Sequence, residues 1–254
     1  MITQWKLSIR SDPAHPLYAD SAYRLYAFLL EQLSAEEAEL LHQAHGEALS
    51  QFLYDQRECG TYLWTLNLFA REVAEILSPV LTALTEVKVE NTALPVTART
   101  CREITAEQLI LSGRGQLQRA CTWELRSPAA FKQGGRYAIF PQERLLLQSL
   151  VNRWNVVFPE YPLEDEDAFQ AMLSGLHIVD YRLRTTRFPL KGVKIPSFIG
   201  SITIEAKLPV PLLELWLTLT RFADFSGIGI KTSLGMGGVC LRCAFSAQSP
   251  AGSQ

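Results

Sequence analysis

Residues 226–238 (SGIGIKTSLGMGG) place five of the chain's fifteen glycines beside one lysine and three hydroxyls. Glycine lets peptide N–H groups approach a ligand without an intervening Cβ, and it adopts positive φ. The composition therefore suits a concave row of donors around an anion, phosphate being the obvious one. A nucleotide P-loop, G-x-x-x-x-G-K-[ST], is excluded because Ile230 precedes Lys231 and Thr232 where that motif has glycine. Spaced glycines with one cation fit the repeated phosphates of a polynucleotide better than a single pyrophosphate. A plain turn between a helix and the last strand is the competing reading.

The second feature with chemical content is the histidine pair His42 and His45. Residues 34–37 (SAEE) form a capping box that opens a short helix ending near Gly46, with Leu40, Leu41 and Ala44 as its apolar side. At 100° per residue His42 falls nearly opposite that side and is expected to face solvent or a ligand, whereas His45 sits on its flank. His15 lies in a loop and His177 opens a strand, so both read as structural or solvated. Cations concentrate in residues 177–207, where Arg182, Arg184, Arg187, Lys191, Lys194 and Lys207 outnumber Asp180 and Glu205. Residues 164–167 (EDED) are their acidic counterpart.

The elements that must position these groups follow from periodicity. Residues 2–10 alternate, with Trp5, Leu7 and Ile9 on one face, as a half-buried strand does. A helix carrying Ala22, Leu25, Phe28, Leu29 and Leu33 follows, then the histidine helix. Next come extended pieces at 49–54 and 61–69, a helix over 73–84, and extended pieces at 87–90 and 96–102. Turn residues at 112–115 mark a boundary. The same order then returns: extended structure at 121–131, a helix at 144–154 with a minor one at 167–173, a long hairpin from 176–190 and 199–208, a helix over 212–222 with Pro211 in its first turn, and a strand at 239–245. Two successive βαββαβ units imply an α+β chain of two tandem ferredoxin-like (RRM-like) domains with antiparallel sheets, spanning 1–113 and 116–246, with a polar tail at 247–254.

Composition narrows the class further. With 254 residues, 48% hydrophobic and 20% charged, the chain is globular. It has no apolar run of the ~20 residues that span a bilayer and no signal-peptide layout, which reads as cytoplasmic. Five scattered cysteines fit reduced thiols, and Cys240 and Cys243 have no second pair to complete a zinc site. A net charge of −2 argues against an indiscriminate nucleic-acid binder. A small-molecule enzyme fares poorly, because the histidines and acids do not converge in sequence on a set of polar groups.

Three stretches carry a family resemblance. Residues 226–238 resemble the glycine-rich signature of the CRISPR-associated endoribonucleases that cut precursor CRISPR RNA, a branch of the repeat-associated RNA-binding superfamily. Residues 127–132 (SPAAFK), 135–141 (GRYAIFP) and 149–155 (SLVNRWN) resemble its central block, and residues 40–43 (LLHQ) with 49–54 (LSQFLY) its histidine segment.

The resemblance implies metal-independent cleavage without a cofactor. The ribose 2′-OH would attack the scissile phosphate, giving 2′,3′-cyclic phosphate and 5′-OH ends. It places the family's histidine on His42, with His45 as fallback, and Tyr23 or Tyr26 on the preceding helix as a further catalytic group. The lysine that some members carry soon after the histidine has no counterpart between His42 and Glu86, where Arg57 is the nearest replacement. The implied partner is CRISPR repeat RNA, and beyond it a CRISPR effector complex, with the protein a monomer or homodimer. RNA contacts are expected from Gly227, Gly229, Lys231, Thr232, Ser233, Gly235 and Gly237, from Arg182, Arg184, Arg187, Lys191 and Lys194 on the hairpin, and from Lys132 and Arg136 around Gly134-Gly135. A non-catalytic RNA-binding subunit of the same superfamily is the alternative.

Overall fold

A computed structural model describes residues 1–43, 47–56 and 59–242, and for His42 and Gln43 the backbone only. Among the described residues, eleven strands and seven α-helices form two antiparallel sheets, each with its own helices, and a small hairpin. The first sheet has the order β2-β3-β1-β5-β4, with β1 (Ile2–Arg10), β2 (Leu49–Gln56), β3 (Thr61–Leu68), β4 (Glu86–Val89) and β5 (Thr92–Ile104). The second runs β11-β6-β10-β9, from β6 (Ala120–Leu125), β9 (Leu176–Leu190), β10 (Val193–Ala206) and β11 (Val239–Arg242). Leaving out β4, both sheets place the unit's first and third strands centrally and its last strand beside the first. That is the ferredoxin-like order twice over.

The alternation read in the sequence has its cause in these sheets. Trp5, Leu7 and Ile9 are buried on the helix side of β1, opposite Leu66, Trp64 and Tyr62 of β3. With α1 (Ser21–Leu30) and α3 (Arg71–Ala83) they close the first core. The capping box before α2 (Ala35–Gln43) is present: the Ser34 amide donates to the Glu37 carboxylate at 2.9 Å, and the Glu37 amide donates back to the Ser34 hydroxyl at 3.3 Å. Of its expected apolar side, Leu41 is buried but Leu40 is 56% exposed, because only Leu41 reaches the first core.

The second core is built on α7 (Val210–Ser226), which has Pro211 in its first turn and buries Leu213, Trp216, Leu217, Leu219 and Phe222. Around it stand α5 (Glu143–Val157), α6 (Glu166–Gly175) and the sheet, with Trp123 stacked on Trp216 at 5.7 Å.

Several expectations are revised. A helix, α4 (Ala106–Gly113), precedes the turn at 112–115, opened by a capping box in which the Gln108 amide donates to the Thr105 hydroxyl. The extended piece at 121–131 ends at Leu125, and a small hairpin, β7 (Phe131–Gln133) and β8 (Arg136–Ala138), turns at Gly134-Gly135. Strand β10 begins at Val193 rather than 199. Pro196 and Pro189 obscured its first half, since proline donates no ladder hydrogen bond, yet the register Lys194 to Pro189 and Pro196 to Arg187 continues the pairing there.

A buried polar seam joins the two units. The Asn67 amide donates to the Phe225 carbonyl (2.8 Å) and the Ser50 hydroxyl (3.0 Å), and Ser50 donates to the same carbonyl. Gln4 donates to Asn67 Oδ1 at 2.7 Å, and Gln51 donates to the Ser233 carbonyl at 2.8 Å. Buried polar groups are costly unless paired. This seam is fully specified only when the end of α7 and the segment after it lie across β2 and β3.

Candidate active site and nucleic-acid interface

The seam holds the glycine-rich segment against the first unit, and it answers where that segment's backbone donors go. The amides of Gly227, Ile228, Gly229, Ile230, Leu234, Gly235, Met236, Gly237 and Gly238 all donate to protein oxygens, among them the Ala130 and Pro128 carbonyls and the Ser149 and Ser127 hydroxyls. Those of Lys231, Thr232 and Ser233 are not among them. A Cβ on Gly229 would lie 2.3 Å from the Ala130 oxygen, and one on Gly237 would lie 2.0 Å from the Ile228 oxygen. The expectation of backbone bared along the whole segment is therefore corrected. Most of its glycines permit close packing of the loop against its own protein, and the part open to a ligand narrows to the turn around Lys231 and Ser233, where Lys231 is exposed with φ 56° while Thr232 between them is buried.

Beside that turn lies a cavity of about 200 Å³ to which both units contribute. Tyr23 and Tyr26 of α1, Leu41 of α2, Ala48 and Leu49 line it from the first unit, and Ser233, Leu234 and Lys191 line it from the second. Lys191 occupies the two-residue turn between β9 and β10, where φ of 47° at Lys191 and 79° at Gly192 match the mirror-image turns that tight hairpins favour. Its ammonium sits 5.3 Å from the centroid of the Tyr23 ring, a cation–π distance. Burial pushes the Tyr26 phenol up to about 12, so near neutrality it is a hydrogen-bond donor rather than a base. His42 belongs to the last turn of α2, next to the cavity-lining Leu41. Its side chain, like all of His45 and Arg57, lies outside the described residues.

On the other side of the glycine segment a second cavity, about 180 Å³, is lined by Glu47, Ser149, Arg153, Gly229 and Thr232 among others. Arg153 donates to the Glu47 carbonyl at 3.1 Å and to the Thr232 hydroxyl at 2.9 Å, and its guanidinium lies 5.9 Å from the Phe69 ring centroid. It ties α5, the glycine segment and the chain just after the histidines together. As a helix residue in the SLVNRW stretch it was visible in the sequence, but its reach across the units was not.

The remaining expected contacts are spread over the surface. Arg184, Arg187 and Lys194 are exposed on the β9–β10 hairpin, and Lys132 and Arg136 on the small hairpin. Arg182 lines a cleft of about 310 Å³ with Thr122, Glu124, Ser201 and Arg242. His15 is exposed and pairs with Asp12 at 2.9 Å; His177 is exposed opposite Glu205. Neither lines the shared cavity. Among the described residues, no group of three or more His, Cys, Asp or Glu is placed to hold a metal, and no helix is long and apolar enough to cross a membrane.

Residues 124–239 match the family model described as CRISPR-associated endoribonuclease Cas6. A CRISPR-associated endoribonuclease Cas6 of Streptococcus thermophilus is 29% identical over 230 residues, covering 90% of this chain and 93% of the relative. The likeness to Cas6 proteins thus runs along most of the chain. Among solved structures, a Cas6 product complex superposes with a TM-score of 0.77 at 21% identity, covering 96% of this chain and all of that one. Thermus thermophilus Cas6 superposes at 0.76 and 23% identity, covering 95% and 98%. These likenesses bear on the fold, which is the tandem ferredoxin-like architecture of Cas6 structures.

A further cleft, about 320 Å³ between the units, holds Asp224 with Lys6, Arg102 and Tyr54. Burial raises the Asp224 carboxyl to about 6, against the opposing hydrogen bond from the Leu241 amide and the charges of Lys6, Arg102 and Arg221. Burial likewise lowers the Lys6 ammonium, with Arg102 adding to the effect. Between its ordinary value of 3.8 and about 6, folded Asp224 holds a proton that the unfolded chain has released. Stability through this group is therefore full below about pH 4, is lost as pH rises to 6, and stays lost above. Asp224→Asn, which keeps the acceptor for Leu241, is expected to flatten that slope. It should raise stability at pH 7.5 by on the order of 2 kcal/mol, read from urea unfolding at stepped pH.

Proposed function

We propose that the protein is a metal-independent endoribonuclease that binds CRISPR repeat RNA and cuts precursor CRISPR RNA by attack of a ribose 2′-OH on the adjacent phosphate. Likeness to Cas6 endoribonucleases supports the coarser statement, an RNA-binding endoribonuclease of the CRISPR system. What supports the finer one is a single convergence: Tyr23, Tyr26, Ser233 and Lys191 line one cavity beside the last turn of the helix that carries His42.

The chemistry needs three things. A base must take the 2′-OH proton as the O2′–P bond forms, and His42 or His45 has the proton affinity for this near neutral pH. A proton must reach the 5′ oxygen as the P–O5′ bond breaks, from histidinium or with help from the phenol of Tyr26 or Tyr23. The charge that grows on the non-bridging oxygens must be offset, and Lys191 takes that part in place of the lysine missing after His42. No water enters the bond-breaking step, so the ends are a 2′,3′-cyclic phosphate and a 5′-OH.

Lys231 with the amides at 231–233 would hold the RNA backbone beside the cut. The cations of β9 and the small hairpin, Arg182, Arg184, Arg187, Lys194, Lys132 and Arg136, would hold the phosphates of the rest. In this reading residues 1–113 supply the histidine, and residues 116–246 supply the cation and the RNA grip.

The test is cleavage of the cognate repeat in EDTA by the parent and by His42→Ala. The parent is expected to cut once, and the variant to bind with similar affinity without cutting. A parent that binds but never cuts, with or without metal, would identify a non-catalytic RNA-binding subunit instead.

A further inference from the structure

We infer that the rings of Tyr137, Phe140 and Tyr181 form a stacking platform for unpaired RNA bases, remote from the cleavage pocket; this rests on the RNA-binding reading above. The three rings are 42%, 51% and 53% exposed, and Val179, two residues before Tyr181 along β9, is 54% exposed. Phe140 and Tyr181 meet edge to face, with centroids 5.4 Å apart and planes at 86°. That geometry spends one ring edge and one ring face on the pair and leaves the other ring faces open. Isolated exposed apolar residues are ordinary, but a pair of exposed rings in contact, with a third exposed ring three residues from Phe140, marks a binding surface.

Charge decides what kind of ligand. The patch is built from the small hairpin, the segment leading into α5 and the exposed edge strand β9. Lys132 stands directly across from Tyr137 in the hairpin register. The small hairpin, the segment after it and the face of β9 that carries Tyr181 hold Lys132, Arg136, Arg144 and Arg187 against Glu143, whereas Asp180, Arg182 and Arg184 alternate onto the other face of β9, where Arg182 lines its own cleft. Glu143 is further committed to accepting the Ile178 amide at 2.9 Å. Flat apolar faces rimmed by cations match a polymer of flat bases joined by phosphates, where stacking is sequence-tolerant and cations track the backbone.

Position gives the surface its own signature. Nine residues of β9 lie between Tyr181 and Lys191, ten steps of ~3.3 Å or about 33 Å. Bases on the platform are therefore far from the cut, and only an RNA long enough to reach them gains from it.

The measurement is fluorescence anisotropy of parent and Phe140→Ala/Tyr181→Ala double variant, with the full repeat RNA and with an RNA trimmed to the few nucleotides around the cut. The double variant should bind the full repeat on the order of tenfold more weakly. It should match the parent in binding and cutting the trimmed RNA, and Phe140→Trp with Tyr181→Phe should restore long-RNA affinity. Equal losses on both RNAs, or no loss on either, would overturn the platform. So would a parent that self-associates through this patch, seen as a concentration-dependent mass lost in the double variant. A parent that binds neither RNA would overturn the RNA-binding reading, and the platform with it.

Discussion

Replacing Lys191 with methionine is expected to slow single-turnover cleavage of the repeat RNA by on the order of a hundredfold, the scale of removing one electrostatic contact to a transition state. Methionine keeps most of the length and apolar stem and removes the charge beside Tyr23. Affinity should fall much less, and the slope of binding against salt should shallow by no more than about one phosphate contact. Lys191→Arg should retain most of the rate, since a cation remains at the hairpin turn. A variant that loses affinity and rate in equal measure would make Lys191 a grip on the RNA rather than part of the chemistry. The expectation rests on placement: the turn lines the same cavity as Tyr23, Tyr26 and Ser233.

Alanine at Gly229 or Gly237 is expected to destabilise the fold by about 3 kcal/mol or more, before any effect on RNA is considered. Both glycines hold positive φ, 76° and 72°. Both would drive a Cβ into a carbonyl oxygen that has little freedom to move, because each loop amide nearby is bonded to another part of the protein. Gly134, with φ 55° and nothing within 4 Å of its Cβ position, is the control, and there alanine should cost only about 1 kcal/mol. Urea midpoints for the three variants separate the two explanations of the glycine segment. If the Gly229 and Gly237 variants kept parental stability and lost only RNA affinity, the segment would be a bared backbone cradle after all.

That segment also shows how far sequence reasoning reaches. Composition reported that backbone comes close to something there; it did not report that the something is the Ala130, Pro128 and Ile228 backbone of the same chain. Strand alternation in β1 and β3 was legible because one face of each is buried against helices, and α7 because its apolar residues recur at helical spacing. Helix α4 was not, since the adjacent Leu109, Ile110 and Leu111 do not form a stripe, and only Leu109 of the three is buried. The histidine, tyrosines and basic hairpin could each be picked out by residue type. What no local pattern carries is that a fifteen-residue strand, β9, ends with its turn lysine against α1 of the other unit. The same holds for Arg153, whose two donors reach the glycine segment and the chain beyond the histidines.

The central claim is that this pocket cuts RNA through the ribose 2′-OH without metal. End-labelled repeat RNA digested by the purified protein in EDTA tests it, with the termini of both fragments identified by phosphatase and kinase treatment and mass spectrometry. The account predicts one cut leaving a 2′,3′-cyclic phosphate and a 5′-OH. A 3′-OH with a 5′-phosphate, or cleavage that appears only when a divalent cation is restored, would contradict it.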